Sequence, residues 1–288
     1  MGRRPMRVLI TGSSGRIGSA IAALIWKTHE VVGLDIVAGP FTKRVGSITD
    51  SALINELTTA ADAVIHTAAL HAPHVGVESD AAFVQTNVQG TECLVAAALR
   101  NGVGKLVYTS STSVYGTAMV APDRAVWVSE ELLPRARDIY DETKLAAEKI
   151  CCTAAEAGLP SVSLRISRCF PEPENLLAIY RLHRGVDARD VARAHALALE
   201  SDIDGFEVFN ISAASRFERR ECDELFAAAD RVILSHYPWA GEAFARRNWQ
   251  LPGRIDRVYA INKAQRMLGY RPQYNFETLF DPDEQRPG

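Results

Sequence analysis

Tyr140 and Lys144 are four residues apart, a spacing that brings both side chains to one face of a helix about a turn from each other. A free phenol titrates near ~10 and is a poor base at neutral pH. An ammonium beside it stabilises the phenolate, making a proton shuttle for a hydroxyl or carbonyl group. Such a pair also arises by chance on solvated helix faces, so its weight comes from two other stretches. Thr109-Ser110-Ser111 supplies hydroxyls upstream, and Thr11-Gly12-Ser13-Ser14-Gly15-Arg16-Ile17-Gly18 supplies a glycine-rich turn near the start.

These residues need elements to position them. Val8-Leu9-Ile10 is the short apolar run of a strand buried on both faces. After the glycines, Ile17, Ala20, Ile21, Leu24 and Ile25 recur at helical spacing. Strand, glycine turn and helix together suit a dinucleotide: the backbone can approach a pyrophosphate, and the helix N-terminus offers free N–H groups. The glycine spacing alone also fits a merely tight turn. Val31-Val32-Gly33-Leu34-Asp35 predicts the next strand, with Asp35 at its end. A carboxylate there accepts both ribose hydroxyls of NAD and repels a 2′-phosphate, so the cofactor expected is NAD rather than NADP. Capping a turn is the plainer role for Asp35.

Arg44 to Ile48 reads as a third strand, followed by a helix capped at Thr49 or Asp50. Ala63 to Ala69 reads as a fourth whose small terminal residues leave room for a ligand. A helix is expected from about Ser79 to Asn101, stopped by Gly102 and Gly104. Lys105 to Ser111 is a fifth strand with a polar carboxyl end, and the connector from Gly116 to Asp138 is expected to cover the site. Tyr140 opens a helix to about Ala157, and Ser161 to Ser167 is the sixth strand. This alternation predicts an α/β fold with a doubly wound parallel sheet.

After Arg168 the pattern changes. Pro171 to Glu174 reads as loop, Val191 to Leu199 as helix and Phe206 to Asn210 as strand. From about Ser215 helical stretches dominate, including Ile261 to Leu268, with no sheet pattern of their own. The organisation expected is a Rossmann-type NAD-binding domain over 1–167, to which 186–212 returns, and a small C-terminal substrate-binding cap from 168–185 and 213–288.

The 288 residues can bury a sizeable core, and a net charge of −3 argues against nucleic-acid or anionic-membrane surfaces. No apolar run approaches the ~20 residues of a spanning helix, and none of signal-peptide type precedes the first strand. Five cysteines without a Cys-x-x-Cys pair are expected to be reduced thiols in a cytoplasmic protein. His71 and His74 flank Pro73 with no third ligand near, so no metal is expected.

In order, the motifs are Thr11-Gly12-x-x-Gly15-x-x-Gly18, Asp35, His66-Thr67-Ala68-Ala69, Asn87-Val88-Gln89-Gly90-Thr91, Ser110-Ser111 with Val114-Tyr115-Gly116, Tyr140-x-x-x-Lys144 and Leu164-Arg165. Val186-Asp187-Ala188-Arg189-Asp190-Val191-Ala192, Asn262-Lys263-Ala264 and Leu268-Gly269-Tyr270-Arg271-Pro272 follow. This ordered set, covering nearly the whole chain, resembles the extended short-chain dehydrogenase/reductases, in the NAD-dependent epimerase/dehydratase branch. The resemblance implies Tyr140 as acid/base, Lys144 holding the nicotinamide ribose and depressing the tyrosine pKa, and Ser111 bonding the reacting oxygen. It implies Gly12, Gly15, Arg16, Ile17 and Gly18 at the pyrophosphate, Asp35 at the adenosine ribose, and Thr67, Ala68 and Ala69 under the cofactor. Ser47, Ile48, Asn87, Thr109 and Ile166 fall on the cofactor side, and His71, Thr112 and Arg168 on the substrate side. The helices at 79–101 and 140–157 would form a four-helix homodimer interface.

Two departures bear on the substrate. Ser47 stands where the family often has an Asp touching adenine. Arg168 replaces an Asn of nucleotide-sugar enzymes, and the long insertion that grips the nucleotide is missing before Val186. Arg165 to Pro173 instead resembles uronate dehydrogenases of the same family. Arg168 is then a fork for a carboxylate or phosphate, or the partner of Glu172 or Glu174. The reading is an NAD-dependent oxidoreductase or epimerase acting at a carbinol carbon of a sugar or sugar-acid substrate. A nucleotide-sugar 4-epimerase, a reductase of apolar ketones using Phe170, Tyr180, Trp239 and Trp249, and an idle NAD-sensing protein are the alternatives.

Overall fold

The structure, a computed structural model, describes residues 4–285. In chain order it runs β1 (Arg7–Thr11), α1 (Arg16–Ile25), β2 (Glu30–Asp35), β3 (Thr42–Val45), α2 (Ser51–Thr58), β4 (Ala63–His66), α3 (Asp80–Phe83) and α4 (Gly90–Arg100). There follow β5 (Lys105–Ser111), β6 (Val126–Val128), α5 (Ile139–Glu156), β7 (Ser161–Ile166), α6 (Glu174–His183), α7 (Ala188–Glu200) and β8 (Phe206–Ile211). The chain ends through α8 (Cys222–His236), α9 (Ala240–Arg246), β9 (Arg257–Tyr259) and α10 (Asn262–Met267).

Seven strands form one parallel sheet in the order β3-β2-β1-β4-β5-β7-β8. Alternate residues serve opposite layers, as the pleat requires. Val8, Ile10, Ile65 and Val107 pack with α1 and α7, whereas Leu9, Val64 and Leu106 pack with α2, α4 and α5. Burial on both faces explains why these strands read as continuous apolar runs. The order of succession reverses between β1 and β4, so their carboxyl ends open the crevice where a doubly wound sheet takes its ligand. A separate apolar cluster holds α6, α8 and α9 together, with Trp239, Phe244, Phe276 and Phe280 at its centre.

The Rossmann-type sheet is as the sequence predicts, with β8 rejoining it. Several local expectations are corrected. Strand β3 stops at Val45, because the Ser47 hydroxyl accepts the Thr49 N–H (3.2 Å) and turns the chain into α2, whose cap is Asp50. The helix expected over 79–101 begins at its Ser79 cap, but Val84–Gln89 is wound as a π-helix between α3 and α4. Pro171 to Pro173 are loop as expected, but Glu174 opens α6, a helix the sequence reading did not assign: Pro173 occupies its N-cap, where its missing N–H costs nothing. The tail does carry a strand, since β9 pairs in parallel with β6 of the connector. Three residues each are too few to show an alternation.

Candidate active site

At the crevice, the turn after β1 is set by Gly12, whose φ of 74° lies in the left-handed region. A Cβ on Gly18 would stand 2.1 Å from the Gly12 oxygen, so helix and strand meet this closely only with glycine there. The α1 N-terminus has no side-chain cap and no acidic residue in its first turn, leaving the N–H groups of Arg16, Ile17 and Gly18 for an anion. Asp35 accepts from Ser14 N (2.9 Å) and Val37 N (3.0 Å), so the turn-capping role is present in the structure. The Thr67 hydroxyl donates to Thr11 O (2.7 Å), locking the ends of β1 and β4 together. Beneath it His66 bridges the Thr11 (2.7 Å) and Thr91 (3.0 Å) hydroxyls, and burial, with help from the Lys144 charge, pushes its pKa down to about 3.

Across the crevice, Asp138 caps α5 by accepting Asp141 N (3.0 Å). The first turns of α5 bury Tyr140 and Lys144, which are 7% and 3% exposed. Ser111 ends β5, accepts Ser113 N (3.1 Å) and hydrogen-bonds the Tyr140 hydroxyl. The Lys144 ammonium donates to the Thr109 carbonyl (2.9 Å) and lies 4.9 Å over the Tyr108 ring. Burial lowers Lys144 to about 8 against the pull of Glu148 and Cys151. Burial likewise raises Tyr140 to about 12; the Ser111 hydrogen bond pulls it down, and Asp141 and Asp138 push it up. The phenol is therefore not acidified by Lys144 as the spacing led us to expect. The ammonium is aimed at a strand carbonyl rather than at the phenol.

The other expected residues divide. Asn87 lies in the π-helical turn, where it donates to Leu70 O (3.0 Å) and Thr143 (3.1 Å) and accepts Leu70 N (2.8 Å); these bonds tie the β4 exit to α5. The Thr109 side chain turns away from the crevice to His195 of α7 (2.8 Å), so only its carbonyl serves the Lys144 side, a correction to its cofactor-side placement. Ile48 is core, where its side chain fills the space beside Gly90, and Ser47 is tied to Thr49. Thr112 is buried beside Ile166, whose carbonyl it reaches at 3.4 Å, and Ala68 and Ala69 are half-buried past β4. His71 stacks on His74 with centroids 5.5 Å apart and donates its backbone N–H to it (2.9 Å). Arg168 pairs with Glu172 at 2.5 Å, the plainer of its two expected roles. Trp239 and Trp249 belong to the aromatic core of the C-terminal helices.

The sequence reading missed Glu148. It accepts both Arg165 nitrogens (2.9 and 2.6 Å), and Arg165 stacks 4.9 Å over Tyr115. Its signal was available: Glu148 continues the four-residue spacing of Tyr140 and Lys144 along α5.

The model of the NAD dependent epimerase/dehydratase family matches residues 8–175, more than half of the chain. The chain belongs to that family. A UDP-glucose 4-epimerase of Halalkalibacterium halodurans is 28% identical over 96% of this chain and 94% of its own. A 3-beta-hydroxysteroid dehydrogenase of Mycolicibacterium neoaurum is 34% identical over 56% of this chain, which spans about half (47%) of that protein's length. Among solved structures, UDP-glucose 4-epimerase of Thermotoga maritima superposes with a TM-score of 0.71 at 21% identity, covering 95% and 96% of the two chains. A mutated uronate dehydrogenase gives 0.68 at 20%, covering 95% and 83%. These likenesses extend the shared fold through the C-terminal helices. As a member of the family this protein is an NAD-dependent enzyme, and among its described residues no helix is long and apolar enough to cross a membrane.

Proposed function

We propose that this family member oxidises a carbinol carbon of a sugar or sugar-acid substrate. The observation that carries the reading is the joining of Ser111, Tyr140 and Lys144 at the carboxyl end of β5, facing the crevice between β1 and β4. Bound NAD supplies the hydride acceptor. The uncapped α1 N-terminus, with Gly12, Gly15 and Gly18, fits its pyrophosphate, and Asp35 has lone pairs left for the adenosine ribose. Thr67 keeps β1 and β4 in register beneath it. In this reading Tyr140 Oη takes the substrate hydroxyl proton, Ser111 orients the oxygen, and Lys144 contributes positive charge beside the nicotinamide ribose. The resting phenol keeps its proton even with Ser111 bonded to it. In the oxidative direction it must therefore first release that proton to solvent, and the positive charges of Lys144 and of the oxidised nicotinamide ring would favour the phenolate that then takes the substrate's.

The short passage from β7 to α6 supports a substrate smaller than a nucleotide sugar. If the keto product leaves, the enzyme is a dehydrogenase; if it is kept and reduced from its other face, the enzyme is an epimerase. The likeness to UDP-glucose 4-epimerase supports the second outcome. A screen of aldoses, sugar acids and nucleotide sugars separates them: stoichiometric NADH means dehydrogenase, and isomerised sugar without net NADH means epimerase. Tyr140→Phe is expected to bind NAD and lose at least about a hundred-fold in turnover, the scale of general acid–base catalysis. A Tyr140→Phe enzyme of undiminished rate would refute the assignment.

The same reading includes a homodimer. A groove of about 300 Å³ runs between α4 and α5, lined by Val95, Ala96, Leu99, Ile150, Thr153 and Ala157 among others. A second copy presenting the same two helices would fill it.

A further inference from the structure

Two arginines stand side by side just beyond the reacting edge of the sheet. Arg168 N donates to Arg184 O (3.0 Å), and Val186 N donates to Arg168 O (2.9 Å). Ile166, two residues before Arg168, pairs with Ser111 across the sheet. Extended residues advance ~3.3 Å each, so the arginine pair begins roughly 7 Å beyond the row that holds Ser111. Both guanidiniums lie over one ring, that of Tyr180, Arg168 at 5.2 Å and Arg184 at 4.5 Å.

Their charges are met differently. Arg168 is paired with Glu172 and also lies 5.4 Å from the Phe170 ring. Arg184 is half-buried, and its guanidinium makes no hydrogen bond or ion pair to any described residue; its Nε is buried without a partner. The carboxylate in its neighbourhood, Asp256, is held by Arg257 at 2.5 Å. Three guanidiniums thus share two carboxylates, and the charge left over is that of Arg184. A half-buried cation without a counter-ion is costly unless a ligand supplies one.

Building on the sugar or sugar-acid reading above, we propose that Arg184 is the oxyanion-binding residue of the substrate cleft. It takes a carboxylate or phosphate carried on the substrate away from the reacting carbinol. The planar fork suits either group, and Tyr180 holds its plane. The offset from Ser111 suits a six-carbon sugar that reacts at one end and carries its charge at the other. Arg168, already paired, frames the site without binding the anion.

The test titrates the NAD-loaded protein calorimetrically with D-glucuronate, D-glucose 6-phosphate and D-glucose, and follows NADH formation with each. The parent enzyme is expected to bind one of the two anions more tightly than glucose, and which one names the source of the oxyanion. Arg184→Gln is expected to reduce that anion-over-neutral selectivity about 10- to 100-fold, the scale of a charge-assisted hydrogen bond. Arg184→Lys, which keeps charge but loses the fork, is expected to give a smaller loss of the same sign and decides the matter if the glutamine variant does not fold. Failure of the parent to bind either anion, unchanged selectivity in both Arg184 variants, or a loss produced by Arg168→Gln instead would each overturn the inference. Anion binding that depends on Arg184, without NADH or isomerised sugar from any of the three, would uphold this site and remove the sugar-oxidation reading.

Discussion

Lys144 is the residue at which stability and chemistry pull in opposite directions. Its ammonium is buried, and its pKa falls from 10.5 to about 8. The folded value lies below the unfolded one, so between them the unfolded chain binds more protons and stability rises with pH. Below 8 the whole penalty is present, about 3 kcal/mol by the size of the shift. Lys144→Met is therefore expected to stabilise the NAD-free protein at neutral pH by about 1–3 kcal/mol while abolishing turnover. That advantage should shrink as pH climbs from 8 toward 10.5. Denaturant melts of parent and variant at neutral pH and above pH 8 measure it, and a variant less stable at neutral pH would contradict a buried-charge cost. The pairing of Tyr140 with Lys144 was legible from spacing alone. The aim of the ammonium was not, since it depends on a carbonyl 35 residues away on another element.

At the scale of elements, α5 organises the site by presenting Tyr140, Lys144 and Glu148 along one buried face. Glu148 fastens that face to β7 through Arg165, and Arg165 rests on Tyr115, whose hydroxyl donates to Asn210 of β8 (2.8 Å). One chain of contacts thus joins helix, strand and covering loop. The loop itself is fixed by Gly116, where φ is 52° and a Cβ would lie 1.8 Å from the Arg135 oxygen. Glu148→Ala leaves Arg165 charged and buried without its partner, so a loss of about 3–5 kcal/mol in unfolding free energy is expected. Urea unfolding tests this, and a loss under about 1 kcal/mol, the scale of an exposed pair, would show that water or another group takes over. The long helices and fully buried strands were legible because each repeats its period several times. β6, β9 and α6 were not: the strands are too short for a pattern, and prolines at the start of α6 resemble loop.

For the whole molecule, the groove between α4 and α5 leaves apolar residues on a helical face that one copy does not cover. Ala96 is exposed and lines the groove, away from the residues of the site. Ala96→Arg is expected to shift the protein from dimer to monomer in sedimentation velocity, with secondary structure unchanged. A parent protein that sediments as a monomer at micromolar concentration would dispose of this interface. Three buried histidines mark the other junctions of the molecule: His66 between β4 and α4, His195 between α7 and β5, and His183 between α6 and the Arg257 carbonyl of β9. Burial keeps all three neutral, with pKa values of about 3, 4 and 3 in that order.

The sequence by itself determined what local periodicity and spacing can encode. These are the alternation of strand and helix, the glycine turn with an uncapped helix after it, Asp35 at a strand end, and Tyr140 one turn from Lys144. Tertiary structure decided which way the polar groups face. Thr109 turns to His195, 86 residues on, rather than to the crevice. Asp35 holds the glycine turn, Arg168 is taken by Glu172, and Arg184 rests on the Tyr180 ring with no hydrogen bond or ion pair to a described residue. Arg168 and Glu172 are only four residues apart and their pairing could be read from the sequence, whereas Thr109 and His195, or Lys144 and the Thr109 carbonyl, meet only when the sheet closes.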